Sequence, residues 1–268
     1  MPTGASSMTG ENDGGAGDEA GTPFAAWRSE IISEFRLRGA ERCAAASPFP
    51  GFPQILESII EALDVAPVGP WLDVGGGLGG TASWIERTTR RQVHLVDPVV
   101  EDLSSARDLF PGLSVSCGDV DRLPVRSGTV SAVVLDGVVS ERADVVPLLR
   151  EVKRVLAARG RLAVTDLWSS GASGGGVGPR YFRSLEDFVA VAERGGLALT
   201  HVAVADVSVG WWSQAAEQVH DEIAVRHRSS PAYERWCAQL ERLQRVLDSG
   251  EVLAAGLVLG AAEPLGPS

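Results

Sequence analysis

Residues 71–80 read Trp-Leu-Asp-Val-Gly-Gly-Gly-Leu-Gly-Gly. An apolar strand runs straight into a cluster of glycines. Such a turn lets bare backbone approach a nucleotide-like ligand, because glycine has no Cβ in the way. Asp73 stands two residues before the first glycine and selects the kind of ligand. A carboxylate in that turn repels a pyrophosphate and attracts an ammonium or a sulfonium.

Outward from this turn, strand and helix signals alternate. Strands are expected over 69–74, 92–97, 112–116, 131–136 and 160–166, with helices over 80–89, 99–109 and 144–158 between them. This order predicts a parallel sheet with helices on both faces. Runs such as Ala132-Val133-Val134-Leu135 suit strands covered on both sides. Residues 169–180 are rich in Gly and Ser and read as a flexible segment. Ser184, with Glu186 and Asp187 behind it, reads as the N-cap of a helix ending at Gly195-Gly196. A strand at 197–205, helices at 211–228 and 231–248, and a last strand at 252–260 follow. Before the turn, Phe24, Trp27, Ile31 and Phe35 fall at helical spacing, as do Ile55, Ile59, Ile60 and Leu63. Residues 1–22 carry almost no large apolar group and read as a disordered tail. The remainder, 23–268, reads as one domain, with an N-terminal helical cap over 23–66 and a helical lid over 206–250.

Several residues now fall where an α/β sheet binds its ligand, at the carboxyl ends of the strands. The first strand ends in Asp73 and the turn Gly75-x-Gly77-x-Gly79. The second ends in Asp97-Pro98, the third is followed by Gly118-Asp119-Val120, and the fourth ends in Asp136-Gly137. This series resembles the motifs of the class I S-adenosylmethionine-dependent methyltransferases, of the type acting on small molecules and natural products. The resemblance implies a Rossmann-like, mostly parallel seven-stranded sheet with an antiparallel last strand. It also implies S-adenosylmethionine as cofactor. Asp73, Gly75, Gly77 and Gly79 would meet its methionine part, Asp97 its ribose, and Pro98 would also touch the cofactor. Asp119 and Val120 would meet the adenine, and Asp136 and Gly137 the reacting end. Gly75, Gly77 and Gly80 also satisfy G-x-G-x-x-G, and Asp97 would suit the ribose of a nicotinamide cofactor, so an NAD(P)-dependent oxidoreductase stays a rival. Asp73, Gly118-Asp119 and the missing Tyr-x-x-x-Lys favour the methyltransferase. A second rival is the same cofactor-binding fold turned to a reaction without methyl transfer, such as a cyclisation.

Methyl transfer to O, N or C asks chiefly for in-line positioning in a closed pocket. A base is needed only where the acceptor holds its proton tightly. His220, on the expected lid, is the candidate base. Trp168, Tyr181, Trp212 and His220 are the candidate substrate-pocket residues, and aromatic lining suits an apolar or aromatic small molecule.

The three cysteines, Cys43, Cys117 and Cys237, form no metal pattern and no disulfide framework, which fits a reducing cytoplasm. Metal is not expected. With a net charge of −11 and no basic patch, nucleic acid and anionic membrane are poor partners. No apolar run approaches the ~20 residues of a membrane span. Lys153 is the single lysine, among many arginines, alanines and glycines. That bias points to a GC-rich genome and to natural product biosynthesis. The oligomeric state stays open, with a homodimer as the candidate.

Overall fold

The computed structural model describes residues 23–47, 52–63, 66–171, 175–177, 180–204 and 213–261. The expected tail over 1–22 lies outside the described residues. Two short helices come first, α1 (Pro23–Glu34) and α2 (Gly39–Ala46), followed by α3 (Gln54–Leu63). Then come β1 (Trp71–Val74), α4 (Gly80–Thr89), β2 (Val93–Asp97), α5 (Val100–Leu109), β3 (Ser114–Cys117) and β4 (Val130–Asp136). A 3-10 turn over Val139–Glu141 leads to α6 (Val146–Val155) and β5 (Leu156–Ser169). A small hairpin, β6 (Gly175–Val177) and β7 (Arg180–Phe182), precedes α7 (Leu185–Arg194) and β8 (Leu197–Val204). The chain closes with α8 (Gln214–His227), α9 (Pro231–Asp248) and β9 (Val252–Ala261).

Seven strands form one sheet in the order β3-β2-β1-β4-β5-β9-β8. All neighbours are parallel except β9, which runs antiparallel to both β5 and β8. This is the Rossmann-like sheet with an antiparallel last strand. The order reverses between β1 and β4, so the crevice outside their carboxyl ends is the natural ligand site.

Alternation along each strand divides the core in two. Trp71, Ala132, Val134 and Ala163 face one way, into a cluster with Ile55, Ile59 and Leu63 of α3 and Trp84 and Ile85 of α4. Leu72, Val133, Leu135 and Val164 face the other way, onto α6 and α7. Helix α6 shows why such a segment folds as it does. Leu148, Leu149, Val152 and Val155 line one face, Pro147 starts the first turn, and Lys153 and Arg154 sit in the last. A third, smaller cluster joins Ile31 and Ile32 of α1, Ala45 and Ala46 of α2, and Val219 and Ile223 of α8 to Leu78 in the glycine turn. Thus α8 lies on the N-terminal helices. Ser184, Ser213 and Ser230 each cap a helix, accepting the N–H of Asp187, Ala216 and Tyr233.

Some expected boundaries move. Phe35 lies beyond the end of α1 and is exposed, because Arg36 takes a left-handed conformation (φ 52°) that stops the helix. Buried Arg28 takes a core position on α1 instead. The helix expected over 144–158 ends at Val155, since β5 begins at Leu156 opposite Val130. Strand β5 also runs on to Ser169, held by β9 along its length. Of the expected flexible segment, Gly175–Val177 pairs with Arg180–Phe182. No helix among the described residues is long and apolar enough to cross a membrane.

Candidate functional site

The carboxyl ends of β1, β2 and β4 gather three carboxylates around the glycine turn. Asp73 is completely buried, and neither of its oxygens accepts a hydrogen bond from a described residue. Burial and the neighbouring Asp136 and Asp97 push its pKa well above the ordinary carboxylate range, against a weaker pull from the Ala82 backbone. A buried carboxylate with no donor is costly as an anion. Burial thus favours the protonated form of Asp73 or a cation beside it.

The turn leaves room for that cation. A Cβ on Gly76 would stand 2.6 Å from Asp73 Oδ2, so this glycine keeps the carboxylate open. Gly77 has φ 49°, and a Cβ there would meet nothing within 4 Å, so its outer side faces open space. Orphaned acceptor oxygens beneath a bare backbone turn fit the ammonium and sulfonium of S-adenosylmethionine.

Asp97 fixes the turn. Its Oδ2 accepts the Gly77 N–H at 2.9 Å and its Oδ1 accepts the Val99 N–H at 2.8 Å. Each oxygen keeps a second lone pair. The acid cluster is felt one turn into α5, where burial, Asp97 and Glu101 push Asp102 up to about 6.

Asp136 is the most heavily held of the acids. Its Oδ1 accepts the Thr165 hydroxyl at 2.5 Å. Its Oδ2 accepts Thr81 at 2.6 Å and Ser47 at 3.2 Å. Burial raises its pKa while the three hydroxyls oppose the rise. Gly137 turns left-handed (φ 74°) and donates its N–H to the Thr165 carbonyl at 2.8 Å. At the third strand Asp119 is exposed and accepts the Asp121 N–H at 2.8 Å, a local turn, while Val120 is buried and Pro98 is exposed.

Residues 72–164 match the family model described as a methyltransferase domain. Over this stretch the chain is similar to methyltransferases. A curated relative, methyltransferase GfsG of Streptomyces halstedii, is 30% identical over 120 residues, covering 42% of this chain and 43% of that protein. The chain spans less than half the length of the curated relatives it matches. Among solved structures, the [4+2]-cyclase SpnF has a TM-score of 0.63 at 21% identity, covering 78% of this chain and 81% of that one. Geranyl diphosphate C-methyltransferase from Streptomyces coelicolor A3(2) has a TM-score of 0.59 at 13% identity, covering 92% and 85%. At these identities the structural likeness is one of fold.

The structure corrects two readings of the pocket. Trp168 has no exposed surface. Its indole donates to the Ala255 carbonyl at 3.1 Å and its ring lies 5.1 Å from Phe188, so it is core and cannot line a pocket. Because β5 continues past Asp166, alternation sends Trp168 to the α7 face, opposite Thr165 and Asp136. His220 does not present a free base. Its Nε2 accepts from Arg28 Nη2 at 2.9 Å, and it packs between Phe24 and Trp236. Burial and the Arg28 charge lower its pKa to about 3. Tyr181 is exposed on the hairpin, and Trp212 lies outside the described residues.

Four polar residues escaped the sequence reading: Ser47, Thr81, Thr165 and Arg28. Thr81 alone carried a signal, standing in the first turn after the glycines. The other three are brought in by tertiary contacts across long stretches of chain.

Proposed function

We propose that this chain transfers the methyl group of S-adenosylmethionine to an O, N or C atom of a small organic molecule, in natural product biosynthesis. The observation that carries this reading is Asp73, a buried carboxylate flanked by two more acids beneath an open glycine turn. That arrangement answers a cation and disfavours the pyrophosphate of a dinucleotide.

When bound, the cofactor supplies an activated methyl group on a sulfonium. Asp73 would balance the charge of its amino-acid part. Asp97 would accept from the ribose hydroxyls with the lone pairs that Gly77 and Val99 leave free. Asp119 and the Val120 N–H would meet the adenine edge. Asp136 and Gly137 would line the reacting end, with Thr165 and Thr81 holding the carboxylate still. Helices α1, α2, α8 and α9 would cover the site and keep out water.

Calorimetry with S-adenosylmethionine and S-adenosylhomocysteine tests the reading: both bind, and Asp97→Ala weakens binding more than tenfold. Failure of both ligands to bind the wild-type chain sinks it. A non-methylating reaction is the second reading, and one observation favours keeping it. All four histidines are engaged: His94 with Ser114 and Ser116, His201 with Ser58, His220 with Arg28, and His227 stacked on Trp27. Methyl-labelled cofactor incubated with extract separates the two. Label in a product supports transfer, whereas cofactor bound but unconsumed supports the alternative.

A further inference from the structure

The N-terminal helices touch the α/β body through few kinds of contact. Apolar side chains of α1, α2 and α8 meet Leu78 and Leu109. Arg42 of α2 donates to the Leu109 carbonyl at 2.7 Å. At the end of α2 the approach becomes backbone to backbone. A Cβ on Gly80 would stand 2.5 Å from the Cys43 carbonyl oxygen and 2.7 Å from the Ser47 nitrogen. At that same point the hydroxyl of buried Ser47 donates to Asp136 Oδ2 and lies 3.2 Å from the Thr81 hydroxyl. Asp136 is thereby held by three hydroxyls from three elements: α2's C-cap, the first turn of α4, and β5. Two of these belong to the sheet body. Only Ser47 belongs to the helices that lie over it.

We infer that Ser47 is a positioning residue that clamps the N-terminal helices to the β4 tip, so that a ligand held beside Asp136 leaves only when α2 lifts. The inference rests on the proposed reading of the site. Its physical basis is the division of the core. Helices α1 and α8 and the end of α2 (Ala45, Ala46) share a small apolar cluster, and only Cys43 and Ala44 of α2 reach the larger core against the sheet, so the end of α2 can open locally without unfolding the body. Opening breaks the Ser47 hydrogen bond to a carboxylate, a charge-assisted contact stronger than a neutral one. Asp136 keeps Thr81 and Thr165 when this happens, so the site stays formed while the roof moves. Removing the hydroxyl should therefore speed ligand release more than it impairs capture.

The full chain and its Ser47→Ala and Ser47→Thr variants test this in two ways. Ser47 has an extended backbone (φ −103°, ψ 110°) that accepts threonine. In the ligand-free protein, amide hydrogen exchange over 39–47 is expected to quicken at least fivefold in Ser47→Ala, with 146–155 unchanged. In stopped flow, the dissociation rate of S-adenosylhomocysteine is expected to rise about tenfold, with the association rate within twofold of wild type. Ser47→Thr is expected to restore both. Unchanged exchange over 39–47, a uniform rise that includes 146–155, or an unchanged dissociation rate overturns the clamp. Should the wild-type chain not bind S-adenosylhomocysteine, the methyltransferase reading falls, and the exchange experiment still decides whether Ser47 holds α2.

Discussion

Asp73 is a carboxylate that folding keeps against its own interest. Its pKa is raised by burial and by two neighbouring acids, so the folded state binds its proton more tightly than the unfolded chain does. The stability linked to this group is therefore full below the ordinary carboxylate range and is lost as pH rises toward the folded pKa. Asp73→Asn should raise stability at pH 8 by about 1–3 kcal/mol, a gain that vanishes near pH 4. Denaturant unfolding at the two pH values checks it. The same change should weaken S-adenosylmethionine at least tenfold, because the cation loses its counter-charge. Binding to wild type should release a proton and tighten with pH, which calorimetry in buffers of different ionisation enthalpy reads directly. Trp168 makes the opposite case. It is core in every respect, so Trp168→Ala should cost about 3–5 kcal/mol of stability while leaving the cofactor affinity of the folded fraction unchanged.

The glycine turn and the helices beside it show how one element serves two purposes. Gly76 and Gly77 clear space for a ligand, while Gly80, in the same run, clears space for a helix. Its missing Cβ lets the end of α2 lie directly against the start of α4. The neighbours there are backbone atoms, which cannot swing aside. Gly80→Ala should therefore destabilise the fold by about 1–3 kcal/mol, measured by thermal or urea unfolding, despite alanine's better helix propensity. A neutral or stabilising effect would show that α2 does not sit so close. The third glycine of the G-x-G-x-x-G pattern thus belongs to packing, the role it also has in a dinucleotide fingerprint, so Gly80 does not separate the two cofactors.

Across the whole molecule, the buried Arg28–His220 pair ties α1 to α8 and contributes to the loss of stability in acid. His220 has a folded pKa of about 3, below its ordinary value of 6.5. The unfolded chain thus takes up a proton first as pH falls. The stability tied to neutral His220 is present above the ordinary histidine range and is lost from there down toward pH 3. His220→Gln should flatten the loss of stability between pH 6.5 and 4, seen as a smaller fall in unfolding midpoint than in wild type. It should leave S-adenosylhomocysteine affinity unchanged, since the side chain is spent on Arg28.

The alternation of strands and helices, the cap serine at 184, and the acids ending β1, β2 and β4 could all be seen in the chain before it was folded. Each is a local signal: a period of apolar residues, a hydroxyl ahead of a helix, a carboxylate beside glycines. The binding of these acids into one electrostatic cluster followed from the sheet order alone. What stayed hidden was set by parity and by distant contacts. Trp168 changed faces because β5 runs on past Asp166, which depends on β9 pairing along it from far away in the chain. Ser47 reached Asp136, and Arg28 reached His220, across gaps of 89 and 192 residues, where no local pattern speaks. Periodicity is a property of neighbours in sequence, so it reports elements and their ends. Which hydroxyl holds which carboxylate, and which histidine is already taken, depends on neighbours in space.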